Sequence, residues 1–142
     1  IDEFYKEKMK SKIEIYALQT ILAIMGSISV TIGASGVWMG SSNMDKITVP
    51  IRLDNHYRYL SGFVLGFGLT MWFYVIPRIT QVVTIVRIFA FMVFLGGIAR
   101  AVGLFKLGVM PDTFSLIATI TEIFFTPILC YWQARIAQRK DQ

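Results

Sequence analysis

Four long apolar runs, each nearly free of charge, constrain this chain more than any other feature of its sequence. Residues 15–38 and 59–77 contain no Asp, Glu, Lys or Arg, and two later runs are interrupted only by Arg87, Arg100 and Glu122. A helix of about 20 apolar residues crosses the ~30 Å hydrocarbon core of a bilayer and satisfies its backbone hydrogen bonds internally. We therefore predict four transmembrane α-helices, over residues 13–40, 57–76, 80–105 and 112–134.

The four spans occupy most of the 142 residues, of which 55% are hydrophobic and 16% are charged. They leave no length for a separate soluble catalytic or nucleotide-binding domain. The turns predicted at residues 77–81 and 106–112 are short, so successive helices should be antiparallel neighbours. We expect residues 1–142 to form a single all-α domain, an up-down bundle of four transmembrane helices.

Basic residues are distributed unequally between the two ends of the spans. Eight fall before the first span, in the second turn or after the fourth span: Lys6, Lys8, Lys10, Lys12, Arg78, Arg135, Arg139 and Lys140. On the opposite side we place Lys46, Arg52 and Lys106. The positive-inside rule then predicts that both termini are cytoplasmic. Because the basic residues lie at span ends, the net charge of +5 suits anionic lipid headgroups and not nucleic acid.

The first outer loop, Ser41–Asn55, has a pattern of its own. Apolar residues alternate there with polar residues or proline, at Ile47, Val49, Ile51 and Leu53. Alternation of this kind is the period of a β-strand. Pro50 is unsuited to a central strand because it has no N–H to donate. We expect an extended segment or short hairpin between helices 1 and 2, lying on the outer membrane surface.

Small residues recur at spacings of three or four along the first three spans. In the first span they are Gly26, Ser29, Gly33, Gly36 and Gly40, and in the second Gly62 and Gly66 share a stripe with Arg58 and Thr70. Small residues at this spacing let helix backbones approach closely. We predict helix packing at Gly33, Gly36, Gly62, Gly66, Gly96 and Gly97.

Polar side chains gather in the third and fourth spans. Arg100 shares a helix face with Gly96 and Gly97, so we expect it to point into the bundle. The fourth span carries a polar seam at spacings of four, three and four, made of Ser115, Thr119, Glu122 and Thr126. Glu122 lies about 15 Å from either end of its helix, beyond the reach of its short side chain. It must therefore be protonated, paired or open to an internal cavity.

We expect Arg100 to be the partner of Glu122, with Arg58 second, because both should enter the bundle from its outer half. Asp54, His56 or Asp112 at the outer mouth, or an anionic ligand, would balance the remaining charge. The predicted polar centre comprises Arg58, Arg100, Glu122, His56, Asp54, Thr119 and Ser115. It is either a structural lock or a ligand site open to the outer leaflet. Arg87 lies near the cytoplasmic end of its span, and we interpret it as a snorkelling side chain.

Other kinds of chemistry find little support in the sequence. The chain has one cysteine, Cys130, and one histidine, which offer no metal-ligand spacing. It has no glycine-rich phosphate loop and no nucleophile–base set. We predict no metal, no cofactor and no catalytic residue.

Three short motifs resemble a known family. They are Tyr57-Arg58-Tyr59 at the start of a span, Gly96-Gly97-Ile98-Ala99-Arg100 in the next, and Glu122 with Pro127 in the last. The pattern is similar to that of the small bacterial inner-membrane proteins described as domain of unknown function 4345. The resemblance implies a four-helix protein of the bacterial inner membrane, linked to envelope upkeep. It also implies that Arg58, Arg100 and Glu122 are the polar centre of the family.

Several functions are compatible with this pattern. We favour a non-enzymatic protein of envelope homeostasis that binds a lipid or another anionic amphiphile, such as an anionic phospholipid, at the polar centre. A small proton-coupled transporter that uses Glu122 is one alternative. Another is an assembly or scaffold subunit, in which glycine faces dock a larger membrane complex or a second copy of the chain. An enzyme acting on lipid, with Glu122 as general acid or base, is the least favoured.

Overall fold

A computed structural model describes residues 2–43, 50–108 and 112–140 of the chain. Four of its helices are long and apolar enough to cross a membrane: Lys8–Met39, Ile51–Arg78, Val83–Lys106 and Thr113–Gln138. The prediction of an all-helical protein with four such helices is confirmed for the described residues. The helices group into two compact units. The first unit is Ile15–Arg78, and the second unit consists of the described parts of Ile1–Glu14 and Ile79–Gln142.

The first unit contains most of helix α1 (Asp2–Met39), a 3₁₀ turn (Gly40–Asn43) and helix α2 (Ile51–Thr70). Helix α2 begins at Ile51 and not at residue 57, because Pro50 starts it with φ −55° and ψ 139°. The Pro50 carbonyl accepts the N–H of Leu53 at 2.8 Å and that of Asp54 at 3.1 Å. Ile51 and Leu53, which we assigned to an extended loop, are therefore helical. Residues 44–49, with Ile47 and Val49, lie outside the described residues.

Glycines bring α1 and α2 into close contact. A Cβ atom added to Gly33 would meet the backbone of Leu65, and one added to Gly36 would meet the Ser61 side chain. A Cβ atom on Gly68 would lie 2.8 Å from the Gly26 carbonyl oxygen. Gly33 and Gly36 thus sit where the helices approach most closely.

Helix α2 presents a different face to α1 than its glycine spacing predicts. No described atom lies within 4 Å of a Cβ added to Gly62 or Gly66, so neither glycine packs helices within this unit. The contact stripe is instead Ser61, Leu65 and Gly68. Neighbouring positions on a helix point about 100° apart, because there are about 3.6 residues per turn. The predicted stripe is one residue away from the observed one, which is slightly more than a quarter turn around the helix.

The second and fourth spans each contain a π-turn that ends two residues before a proline. The first covers Met71–Val75, before Pro77, and the second covers Thr121–Phe125, before Pro127. A proline removes the N–H that would bond to the carbonyl four residues earlier, and its ring crowds that carbonyl. The residue before each proline donates its N–H one position further back, from Ile76 to Met71 and from Thr126 to Thr121. The prolines thus account for both π-turns.

The second unit is built on helix α3 (Val83–Leu107) and the fourth span, which consists of α4 (Thr113–Ile120), the Thr121–Phe125 π-turn and α5 (Thr126–Lys140). Helix α3 ends at Gly108, whose φ of 60° is the left-handed conformation that glycine adopts without strain. Gly97 is buried against the π-turn, whereas no described atom lies within 4 Å of a Cβ on Gly96. Gln133 of α5 is 1% exposed and donates to the Ile79 carbonyl at 2.6 Å.

Candidate functional site

Arg100 and Glu122 form an ion pair inside the second unit, as the sequence predicted. Arg100 Nη2 lies 3.4 Å from Glu122 Oε1. This exceeds the roughly 2.7–2.9 Å of a charge-assisted hydrogen bond, so the contact is electrostatic and loose. The Arg100 side chain is 49% exposed and the Glu122 side chain 22%. Arg100 therefore keeps much of its five-donor guanidinium surface open.

The π-turn and Gly97 together fix where Glu122 points. Glu122 is the second residue of the Thr121–Phe125 π-turn. A Cβ on Gly97 would lie only 2.9 Å from Glu122 Cβ and from Ile123 Cγ1. Only glycine at position 97 lets α3 approach so closely. Arg100, three residues further along α3, is thereby held next to the carboxylate.

Within the part of the chain that the structure describes, one oxygen of Glu122 has no hydrogen-bond partner. Oε2 is buried, and no donor among the described residues reaches it. Thr126, the next residue of the seam after Glu122, donates to the Thr121 carbonyl at 3.3 Å instead. Leaving a buried acceptor unmatched is costly, so this oxygen marks the pair as an incomplete polar centre in the described residues.

The remaining seam residues bond to their own helix. Ser115 donates its hydroxyl to Asp112 Oδ1 at 2.6 Å and its N–H to Oδ2 at 3.1 Å, which caps α4. These hydrogen bonds from Ser115 lower the pKa of Asp112. Thr119 is buried and donates to the Ser115 carbonyl at 2.8 Å. Both side chains, which we assigned to the polar centre, have helix-local partners.

Arg58 and Asp54 form a second cluster within the first unit, at the end of α1. Arg58 Nε donates to Asp54 Oδ2 at 2.7 Å, and Nη1 donates to the carbonyls of Val37 and Trp38 at 2.8 and 2.9 Å. Asp54 Oδ1 accepts the N–H and the hydroxyl of Ser41 at 2.7 and 2.8 Å. This cluster, the Arg58 cap, satisfies carbonyls that every helix leaves unbonded at its C-terminus.

A left-handed glycine makes room for the Arg58 cap. Gly40 follows α1 with φ 65°, and a Cβ there would collide with the side chains of Asp54 and Arg58. His56 stands apart on the exposed surface of α2, stacked on Tyr59 with 6.4 Å between ring centroids. The structure thus pairs Arg58 with Asp54 and Arg100 with Glu122, and the two pairs belong to different units.

Sequence reasoning missed the backbone partners of these side chains. The carbonyls of Val37 and Trp38 carry no residue-type signal, although Gly40 near the end of an apolar run is a recognisable helix stop. The π-turn at Glu122 did have a signal, since Pro127 lies five residues after it.

Comparisons with known proteins agree with the resemblance seen in the sequence. Neither the curated proteins nor the solved structures gave a match to this chain. A sequence model of one family, described as domain of unknown function DUF4345, matches residues 17–133. The matched range contains both arginine–carboxylate pairs and overlaps all four apolar helices. The chain therefore belongs to the DUF4345 family.

Proposed function

We propose that this chain binds an anionic lipid or a similar amphiphile in the bacterial inner membrane and that it serves envelope homeostasis. In this proposal Arg100 donates hydrogen bonds to the headgroup of the ligand. The observation that carries the proposal is the half-exposed guanidinium of Arg100, whose single ion pair among the described residues is a loose one, to Glu122. A charged side chain inside a membrane-spanning helix is expensive unless it finds partners. A phosphate or carboxylate headgroup supplies them, because it accepts two parallel hydrogen bonds from one guanidinium.

In this proposal the Glu122 carboxylate competes with the lipid headgroup for Arg100. The carboxylate occupies one side of Arg100 while no headgroup is bound, and a headgroup would compete with it for the same cation. The buried oxygen Oε2, which lacks a donor among the described residues, indicates that the protein does not satisfy Glu122 fully. Binding is then an exchange of acceptors around Arg100.

We assign Arg58 and Asp54 a structural role in this proposal. Among the described residues Arg58 makes three hydrogen bonds and Asp54 accepts three, so both are occupied within the first unit. Breaking the Arg58 cap to bind a headgroup would expose the end of α1. Arg100 has no such competing duty.

The orientation we propose places the segments before the first span and after the fourth in the cytoplasm. The support is the excess of Lys and Arg on that side, at residues 6–12, at Arg78 and after residue 134. Arg100, near the end of α3, then lies in the outer half of the membrane. The ligand would reach it from the outer leaflet.

Native mass spectrometry with lipid extraction tests the proposal. Wild type should carry an anionic lipid, and Arg100→Gln should lose it. Arg52→Gln is a matched control, because Arg52 is an exposed arginine at the start of α2, on the same predicted side. Glu122→Gln should retain lipid more strongly, since it removes the competing carboxylate. Equal lipid content in all four proteins would refute the proposal.

A proton-coupled transporter is the second candidate, and the buried, unmatched Oε2 of Glu122 favours it. A carboxylate in a π-turn can change partners when it gains or loses a proton, and π-turns are frequent at functional sites. Proton-coupled flux in vesicles that disappears in Glu122→Gln would support transport. It would also separate the two functions, because lipid binding predicts stronger retention in that variant.

An assembly subunit is the third candidate, and the open glycines favour it. Gly62 and Gly66 share one exposed face of α2, and Gly96 is exposed on α3, with no described atom near a Cβ at any of them. Such faces suit docking of another transmembrane helix. Co-purification in mild detergent that is lost in Gly62→Leu would support this function.

A further inference from the structure

A groove runs along the surface of the second unit between α3 and α5. Its α3 wall is a stripe at spacings of three, one and three: Arg87, Ala90, Phe91 and Phe94. Its α5 wall repeats the same spacing with Pro127, Cys130, Tyr131 and Ala134. The groove has a volume of about 490 Å³. That volume is within the roughly 300–1,000 Å³ of small-molecule binding sites.

Short side chains create this α3–α5 groove between bulky ones. Ala90 and Ala134 leave space on either wall, while Phe91 and Tyr131 are 61% and 72% exposed and form its rims. Pro127 forms one end, just after the π-turn that bends the fourth span. The floor is almost entirely apolar, and one cation stands at its edge.

Arg87 is that cation, and it lies at the opposite end of the groove from Pro127. Gly97 packs against Glu122 and Ile123. The two helices are antiparallel, so residues earlier in α3 lie beside residues later in the fourth span. Arg87, about ten residues before Gly97, therefore lies near the level of Ala134. Arg87 is exposed and lies four residues after Val83, the first residue of α3, a rise of about 6 Å. Its side chain therefore reaches the headgroup level. No described side chain forms an ion pair with it.

We propose that the α3–α5 groove is a second lipid site, which holds an anionic phospholipid with its phosphate on Arg87 and one acyl chain along the groove towards Pro127. The charge at one end and the apolar floor together match an amphiphile, because a soluble anion would leave the floor empty. This site is separate from the proposed function. Arg87 and Arg100 are thirteen residues apart on α3, which is about 20 Å along the helix.

Cys130 gives a direct probe of occupancy, because it lines the groove and is the single cysteine of the chain. The experiment measures Cys130 alkylation in detergent as phosphatidylglycerol, phosphatidylcholine or inorganic phosphate is added, with bound lipid counted by native mass spectrometry. Phosphatidylglycerol should slow alkylation in wild type, whereas the other two should not. Arg87→Gln should weaken phosphatidylglycerol binding by about tenfold, the equivalent of a lost charge-assisted hydrogen bond or two.

Two further variants keep the result specific. Arg135→Gln removes an exposed arginine of α5 that does not line the groove, and it should bind phosphatidylglycerol like wild type. Ala90→Phe fills the groove without removing Arg87, and it should lose binding while its melting temperature stays near that of wild type. Arg100→Gln should leave Cys130 protection intact, so this site and the proposed function can fail independently.

Any of four results would overturn the proposal. The first is wild-type affinity for phosphatidylglycerol in Arg87→Gln. The second is an equal loss of affinity in Arg87→Gln and Arg135→Gln, which would indicate general charge attraction. The third is protection of Cys130 by phosphatidylcholine as strong as that by phosphatidylglycerol. The fourth is protection of Cys130 in lipid-free wild type by a second copy of the chain, which native mass spectrometry would detect as a dimer.

Discussion

Replacing Gly97 with alanine tests whether the close approach of α3 to the π-turn supports the Arg100–Glu122 pair. A Cβ at position 97 would lie 2.9 Å from Glu122 Cβ and from Ile123 Cγ1, about 0.6 Å short of the roughly 3.5 Å at which carbon atoms pack. Because Glu122 Cβ is attached directly to the backbone, side-chain rotation cannot relieve the contact and the helices must separate. Overpacking of this kind costs roughly 1–3 kcal/mol. Because alanine favours a helix over glycine by about 1 kcal/mol, part of this cost is offset, and we expect Gly97→Ala to lower the free energy of unfolding by up to about 2 kcal/mol.

The neighbouring Gly96 provides the control. It is exposed, and no described atom lies within 4 Å of a Cβ built there. Alanine also favours a helix over glycine by about 1 kcal/mol, so Gly96→Ala should leave stability unchanged or raise it slightly. Both variants would be unfolded with SDS in mixed micelles and followed by circular dichroism. Wild-type stability in Gly97→Ala, or an equal loss in both variants, would refute this account of the packing.

Three further predictions follow from the π-turn and from the two helix caps. Pro127→Ala restores a backbone N–H and should relax the π-turn to a regular α-helix. The coupling free energy between Arg100 and Glu122, measured by a double-mutant cycle of unfolding free energies, should then fall towards zero. Unchanged coupling would show that the proline does not set the turn. Arg58→Gln should lower the unfolding free energy by roughly 1–3 kcal/mol, because it removes charged hydrogen bonds to the end of α1, and wild-type stability would contradict the cap. Hydrogen bonds from Ser115 lower the pKa of Asp112 in the folded protein. The ionised Asp112 carboxylate therefore stabilises the fold above its ordinary pKa of 3.8, and this stabilisation is lost as the pH falls through the lowered pKa. Asp112→Asn should therefore show a weaker loss of stability on acidification, and an unchanged pH profile would count against this cap.

The helices could be predicted because lipid imposes a strong rule on sequence. An apolar run that lacks charge over a whole span has few structural solutions, so the four helices followed from hydropathy alone. The start of α2 at Ile51 was harder to predict, because Arg52 and Asp54 make its first turn polar. Hydropathy identifies the part of a helix that lies in hydrocarbon, whereas helix α2 continues beyond that part.

The packing face of α2 was predicted wrongly for a physical reason. Glycine spacing shows that a helix can be approached closely, but a glycine on a lipid-facing or docking surface has the same spacing. Ser61 and Leu65 make the observed contact together with Gly68, and serine is small enough to act as glycine does elsewhere. A stripe of polar residues also does not show whether each side chain bonds within its own helix. Thr119, for example, donates its hydroxyl to the Ser115 carbonyl of the same helix.

Arg58 and Arg100 differ in how many hydrogen-bond and ion-pair partners the described residues give them. The sequence treats them alike, since both lie among small residues within membrane-spanning helices. Arg58 makes one hydrogen bond to a carboxylate and two to the carbonyls that end α1, so its charge is compensated by the protein. Arg100 has one contact at 3.4 Å among the described residues, to a carboxylate whose second oxygen is buried without a donor. An arginine so placed in a membrane must obtain its remaining partners from water or from lipid headgroups. Arg100 is therefore the residue at which the ligand that we propose would gain most and the fold would lose least.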